Sequence, residues 1–417
     1  MIRKTILDNG VRIITEVVDG VYSASIGIWV DVGSRDENEL NNGVSHCLEH
    51  MLFKGTKKRT AKEIAQEIED VGGSLGAATG KENTCFYGRV MGNELPVAID
   101  LLVDMLVHAR LTRKDLDMER QVILEEIKMY EDDPEDVTHE TLVEKIWPGH
   151  ALSRPITGTA KTVSAITAEM LKEHVASFYR PENLVVSIAG KFDEEAALEQ
   201  LTHGLGRLTR GQGKQEIGAP TIKPFTLMKD KDIEQAHTVI ATQGVSITDP
   251  RRYALAILDL CLGGNMSSRL FQEVREKHGL VYNINTFRES HSAAGLFGVY
   301  AGSSPKHVPK VIELTLEEFK QIKSDGLTEQ ETNRARTQLK AELLLGLESM
   351  RYRTSRNAYG ELYYGREVDV EEICRDIDAV TSADIKDLAN ELLKTEYLSM
   401  VVVGPQSALK KEPALVC

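Results

Sequence analysis

The sequence has few cysteines and no arrangement of them that would build a scaffold. Cys47, Cys85, Cys261, Cys374 and Cys417 are scattered over 417 residues without a Cys-x-x-Cys pair. That argues against a disulfide framework and a thiolate zinc knot, and fits reduced thiols in a cytoplasmic protein. Long apolar runs are missing too. No window reaches the roughly 18 apolar residues of a membrane span. The stretch Met1 to Gly10 has no apolar segment of the secretory kind, so no signal peptide and no membrane partner are expected. Positive charge is in deficit: 50 Lys and Arg face 64 Asp and Glu, a formal net charge of −14, with no basic stripe. A nucleic-acid partner is therefore not expected.

What remains is an ordinary globular composition, 41% hydrophobic and 27% charged, in a chain too long for one core. Its most informative stretch is His46-Cys47-Leu48-Glu49-His50. On a helix, positions i and i+4 share a face and i+3 lies beside them. His46, Glu49 and His50 then gather on one side, with Val44, Cys47, Leu48, Met51 and Leu52 on the other. Two imidazoles can hold a metal ion, and a carboxylate next to them can take a proton from water. Taken alone, the same pattern also fits the solvent face of an amphipathic helix.

Around this stretch the sequence predicts mixed helix and strand. Asn9-Gly10 before Val11 to Thr15 signals a hairpin. Ala24 to Gly33 reads as a strand, Thr60 to Val71 as a helix, and Ala77 to Val90 as one strand-like run rich in Thr, Cys, Phe and Tyr. Helices are expected over Glu94 to Val107, Thr112 to Tyr130 and Pro134 to Trp147. In the second of these, Glu126 has Val122, Ile123 and Tyr130 as helical neighbours, which places it on a buried stripe with Glu119 a heptad earlier. A carboxylate there needs a partner, and a metal is one. Glu125, flanked by Gln121 and Lys128, is expected to face solvent.

A repeat links the halves. Ile166 to Gly190 aligns without gaps to Val380 to Gly404, and Leu111-Thr112 echoes Leu327-Thr328 at a similar offset. The expected organisation is a domain over 1–210, a linker over 211–225 and a homologous domain over 226–417. The second half has no His-x-x-Glu-His, and Glu342, opposite Glu126, is read as a structural relic.

These residues resemble a known family. His46-x-x-Glu49-His50 with Glu126 far downstream is similar to the inverted zinc motif of the pitrilysin, insulin-degrading and mitochondrial processing peptidases. Met51-Leu52-Phe53-Lys54-Gly55-Thr56, Glu119-Arg120-x-Val122-Ile123-Leu124-x-Glu126 and Gly263-Gly264-Asn265-Met266-Ser267-Ser268-Arg269-Leu270-Phe271 extend the likeness along nearly the whole chain. The resemblance implies one Zn2+ per chain on His46, His50 and Glu126, with Glu49 as general base and Glu119 orienting a ligand histidine. It implies an α+β fold of two homologous sandwich domains, each a mainly antiparallel sheet backed by helices. It also implies that unfolded or extended peptides add a strand to a sheet edge in the Ala77 to Tyr87 segment, at Gly76 and Ala77. Arg275 and Tyr282 match a family pair that holds the substrate carbonyl. The family chamber uses twice the domains this chain has, so the resemblance implies a homodimer in which Arg275 and Tyr282 face the zinc of the other copy. The chain departs from the family at Gly76, where Asn is usual. A catalytically weak or inactive peptide-binding scaffold of the same fold is the rival reading.

Overall fold

The computed structural model describes residues 2–211, 214, 217–408 and 414–417. Four residues of the expected 211–225 linker (212, 213, 215 and 216) lie outside the described residues. The Asn9-Gly10 turn joins β1 (Ile2–Ile6) to β2 (Arg12–Val17) as an antiparallel hairpin, with Gly10 at φ +101°. The other strands of the first sheet are β3 (Ser23–Val30), β4 (Ser74–Thr79), β5 (Thr84–Met91) and β6 (Leu184–Gly190). Their order is β1-β2-β6-β3-β5-β4, parallel only between β2 and β6. The segment read as one strand from Ala77 to Val90 is thus two. Gly80 to Asn83 closes a tight turn, with the Gly80 amide donating to the Asn83 carbonyl at 2.8 Å. The outer edge is consequently β4, and Tyr87 lies on an interior strand.

The second sheet comprises β7 (Thr226–Asp230), β8 (Ala236–Gln243), β9 (Val281–Ser290), β10 (Gly295–Ser303) and β11 (Ser399–Gly404). Its order, β7-β11-β8-β10-β9, repeats that of the first sheet without β1. The helix–strand unit seen in the sequence recurs as Ala168–Phe178 leading to β6 and Ser382–Leu392 leading to β11. Thr167 and Thr381 each cap their helix through the hydroxyl. Both halves are α+β with a mainly antiparallel sheet.

Helices α1 (Val44–Leu52), α2 (Ala61–Asp70), α3 (Leu95–His108), α4 (Arg113–Asp132) and α5 (Pro134–Ile146) follow in order. One face of the first sheet packs on α1 and α3. Ile26, Ile28 and Val30 meet Cys47, Leu48, Met51, Ile99 and Leu102, all essentially buried. Each such side chain contributes about 1.5–3 kcal/mol relative to exposure.

The compact units are not continuous in sequence. One contains Met1–Lys128, Arg154–Glu216 and Leu345–Val368; the other contains Met129–Ser153, Ile217–Leu344 and Asp369–Cys417. Relative to the expected break at 211–225, two segments change sides. The helix Met350–Tyr359 covers the free face of the first sheet, where Ala358 packs with Ile14, Trp29, Cys85 and Val185. Its Asn357 donates to buried Glu16 at 2.8 Å, and Arg353 pairs with the same carboxylate. In the other unit, α5 puts Val137, Leu142, Val143 and Ile146 against Val239, Tyr300, Val401 and Val403. An apolar helical face must be buried, but its periodicity does not say against which sheet.

Candidate metal centre

The site is built on α1. Gly43, at φ +94°, opens the helix and has no side chain to cap it. The buried Glu37 carboxylate takes that role, accepting from the amides of Gly43 at 2.7 Å and Ser45 at 2.8 Å and from Asn42 Nδ2 at 2.8 Å. Burial pushes the Glu37 carboxyl up to about 7 against those three donors. Ser45, next to the first histidine, contacts buried His174 at 3.3 Å. The start of α1 is therefore fixed on two sides.

From this helix His46 and His50 face Glu126 of α4. His46 Nε2 lies 3.6 Å and His50 Nε2 3.5 Å from Glu126 Oε2. The three ligand atoms fall within 4.8 Å of one another, and this is the one such group of His, Cys, Asp or Glu among the described residues. Bonds of 2.0–2.1 Å to a tetrahedral zinc would set ligand atoms about 3.4 Å apart, so the spacing fits. The donor set, two imidazole nitrogens and a carboxylate oxygen, is of the type that leaves a fourth position open. Burial draws His46 down to about 4, which keeps it neutral, the form that binds metal. Burial also opposes charge on His50, but its bonds to Glu126 and Glu119 outweigh that and leave it raised.

His50 Nδ1 lies 3.1 Å from Glu119 Oε2, so Nδ1 carries the hydrogen and Nε2 is left for a metal. Lys54 Nζ sits 2.5 Å from the other Glu119 oxygen. The expectation for α4 is met at Glu119, which is buried, and at Glu125, which is exposed and paired with Lys128. It differs elsewhere. The buried stripe is Leu116, Glu119, Ile123 and Ile127, while Val122 and Tyr130 are exposed. Glu126 is half-buried at the margin of that stripe, where a side chain can reach a ligand from the protein's edge.

Glu49 is held from the sheet. The Thr79 hydroxyl, at the end of edge strand β4, donates to Glu49 Oε2 at 2.5 Å. Burial raises the Glu49 carboxyl above its usual range, with the Thr79 bond working against the shift. Gly76 and Ala77 lie on β4, at the sheet edge, whereas the later part of the expected Ala77 to Tyr87 edge segment belongs to interior strand β5. Glu342 is exposed and bonded to Gln338, apart from any metal group.

Arg275 and Tyr282 belong to the other compact unit. Arg275 lies on a π-helical segment, Phe271–Lys277, with its guanidinium carbon 4.6 Å from the centre of the Phe271 ring. Glu273 pairs with Lys277 and His278 instead, and among the described residues no carboxylate pairs with Arg275. Tyr282 is 79% exposed. Sequence reasoning missed Glu37, Thr79 and the role of Lys54. Only Lys54 stood in a quoted motif; Thr79 reaches Glu49 from a strand far along the chain, and Glu37 caps α1 from the preceding loop, where no standard cap spacing signals it.

A duplicated α+β fold, with an inverted histidine pair on one helix and a glutamate from another, defines a metallopeptidase-type architecture. The chain belongs to peptidase family M16. Residues 12–160 match the family description "Insulinase (Peptidase family M16)", and residues 165–339 match "Peptidase M16 inactive domain". The chain is 40% identical over 412 residues to an uncharacterized zinc protease of Streptomyces coelicolor, covering 97% of this chain and 90% of that protein. It is 35% identical to one of Bacillus subtilis, covering 97% and 98%. In fold it is similar to a solved M16 inactive-domain protein of Pseudomonas fluorescens, with a TM-score of 0.91 at 20% identity over 99% of this chain and 100% of that one. Among the described residues no helix is long and apolar enough to cross a membrane.

Proposed function

We propose that this chain is a zinc-dependent endopeptidase acting on unfolded or extended peptides. The observation that carries the reading is the convergence of His46, His50 and Glu126 within 4.8 Å, with Glu49 held beside them by Thr79. His46, His50 and Glu126 would hold the ion. A bound zinc ion supplies Lewis-acid polarisation of the scissile carbonyl and lowers the pKa of water towards about 7. Glu49 accepts the proton of the attacking water and passes it to the leaving amine. Its raised affinity for a proton suits both halves of that task. Thr79 fixes the carboxylate through its hydroxyl. Glu119 holds the His50 tautomer.

The substrate would lie as an added strand on β4, whose outer edge has no partner strand among the described residues. Gly76 and Ala77 would offer it backbone groups. Arg275 and Tyr282 would hold the substrate carbonyl, supplied by a second copy in a cytoplasmic homodimer that encloses the peptide. The half-buried Arg275, with no carboxylate partner among the described residues, and the exposed Tyr282 suit a role toward another molecule.

A quenched-peptide library tests the reaction on zinc-loaded protein. Wild type is expected to cut unfolded peptides, and Glu49→Gln to lose about 10²–10⁴-fold in rate while keeping its zinc. A wild type that cuts nothing in the library would overturn the peptidase reading.

A further inference from the structure

The departure at Gly76 has a structural counterpart. Gly76 of β4 is paired directly with Tyr87 of β5. A β-carbon at Gly76 would lie 2.8 Å from Cε2, Cζ and the hydroxyl of Tyr87. The Tyr87 ring therefore reclines over the glycine toward the open edge of the sheet. On β4, Leu75 and Ala77 pack on the core side, so Gly76 and Ala78 face the other way, with Tyr87. On top of Tyr87 sits Arg351, at the start of the helix that covers this face, its guanidinium carbon 4.3 Å from the ring centre. Arg351 is exposed, and among the described residues no carboxylate pairs with it. Its neighbour Arg353, by contrast, is committed to buried Glu16. Arg89, two residues beyond Tyr87 on the same face of β5, is a second exposed cation.

In a sheet, residues directly opposite on neighbouring strands share a face and touch. A strand added outside β4 would place one side chain opposite Gly76. With no side chain at 76, that residue meets the Tyr87 phenol and the Arg351 guanidinium. We propose that Tyr87 and Arg351 form a side-chain subsite that selects an acidic residue of the bound peptide at the position opposite Gly76. This rests on the reading of β4 as the substrate edge. The ring stack orients the guanidinium, and the phenol adds a hydrogen-bond donor to the same carboxylate. In a chain of net charge −14 such a local cation pair is what would let an acidic side chain dock.

The test scans Glu, Gln and Lys through each position of a fluorogenic peptide that the zinc-loaded chain cuts. At one position the kcat/KM ratio of Glu to Lys should be about fivefold, the scale of an exposed charge pair. That ratio should fall to one or invert in Arg351→Glu and persist in Arg351→Lys. No position favouring Glu, or a preference that survives Arg351→Glu, would overturn the subsite. Binding of the same labelled peptides to Glu49→Gln protein separates the two claims. A Glu preference in binding without any cleavage by wild type upholds the subsite and sinks the hydrolytic reading. Cleavage without a preference does the reverse.

Discussion

At the scale of single residues, the site is defined by what stands behind its candidate ligands. Glu119 is buried, shared between His50 Nδ1 and Lys54 Nζ, and positioned to set which nitrogen of His50 is free. Replacing such an outer partner typically lowers metal affinity by about 10–100-fold without removing a ligand. Glu119→Gln should therefore weaken zinc binding by that amount, measured by competition with a chromophoric chelator. Affinity unchanged from wild type would mean that the contact does not orient the ligand. Not all of this was legible in the sequence. His46, Glu49 and His50 declare themselves by helical spacing and Glu119 by its place on the buried stripe of an amphipathic helix, whereas Glu126, assigned to that stripe, lies at its margin. Val122 and Tyr130 depart from expectation because the buried stripe of α4 runs through Leu116, Glu119, Ile123 and Ile127, which leaves those two apolar side chains exposed at its margin. Thr79 and Glu37 left no trace, since each meets α1 through the conformation of a strand or loop that its spacing does not announce.

At the scale of elements, the glycine-rich motif from Gly263 to Phe271 has a structural explanation in its arginine. Arg269 binds Glu331 through two parallel contacts, 2.7 and 2.9 Å. Glu331 also accepts from the amide and hydroxyl of Thr328. Thus one carboxylate ties the motif to the start of the helix Glu329–Gly346. The bond to Arg269, aided by Thr328, lowers the Glu331 carboxyl to about 2. Because the folded value lies below the unfolded one, the unfolded chain binds this proton first as pH falls. The stabilisation is complete above roughly pH 4.5, the ordinary range of a glutamate, and is lost on descent toward pH 2. Urea titrations of Glu331→Gln and wild type should accordingly converge over that window. A stability gap that stays constant from pH 6 to 2 would contradict the assignment. The strands show a different limit to sequence reading. Ala77 to Val90 reads as one run from its Thr, Cys, Phe and Tyr content, but Gly80-Lys81-Glu82-Asn83 within it is of low β propensity, and there the chain turns, with buried Glu82 bonded to Tyr363, to make β4 an edge.

At the scale of the whole molecule, the duplication was legible and the grouping of helices was not. Thr167 and Thr381, followed by matching apolar periods, announced the repeat. The places of α5 and Met350–Tyr359 depend on which sheet face remains uncovered, a tertiary fact. The homodimer reading makes a prediction at this scale. Mixing Glu49→Gln protein with Arg275→Ala protein should restore activity if the two lesions can collect at one site and leave the other intact. Absence of recovery despite demonstrated subunit exchange would sink the arrangement in trans.

The claim on which the rest depends is that His46, His50 and Glu126 hold a zinc ion for peptide hydrolysis. It is tested most directly by following cleavage of one unfolded peptide before chelation, after it, and after adding back zinc. We predict that activity falls at least about 100-fold, within the range expected from losing the group that activates water, and returns at one zinc per chain. Undiminished cleavage by the metal-free protein would contradict the account.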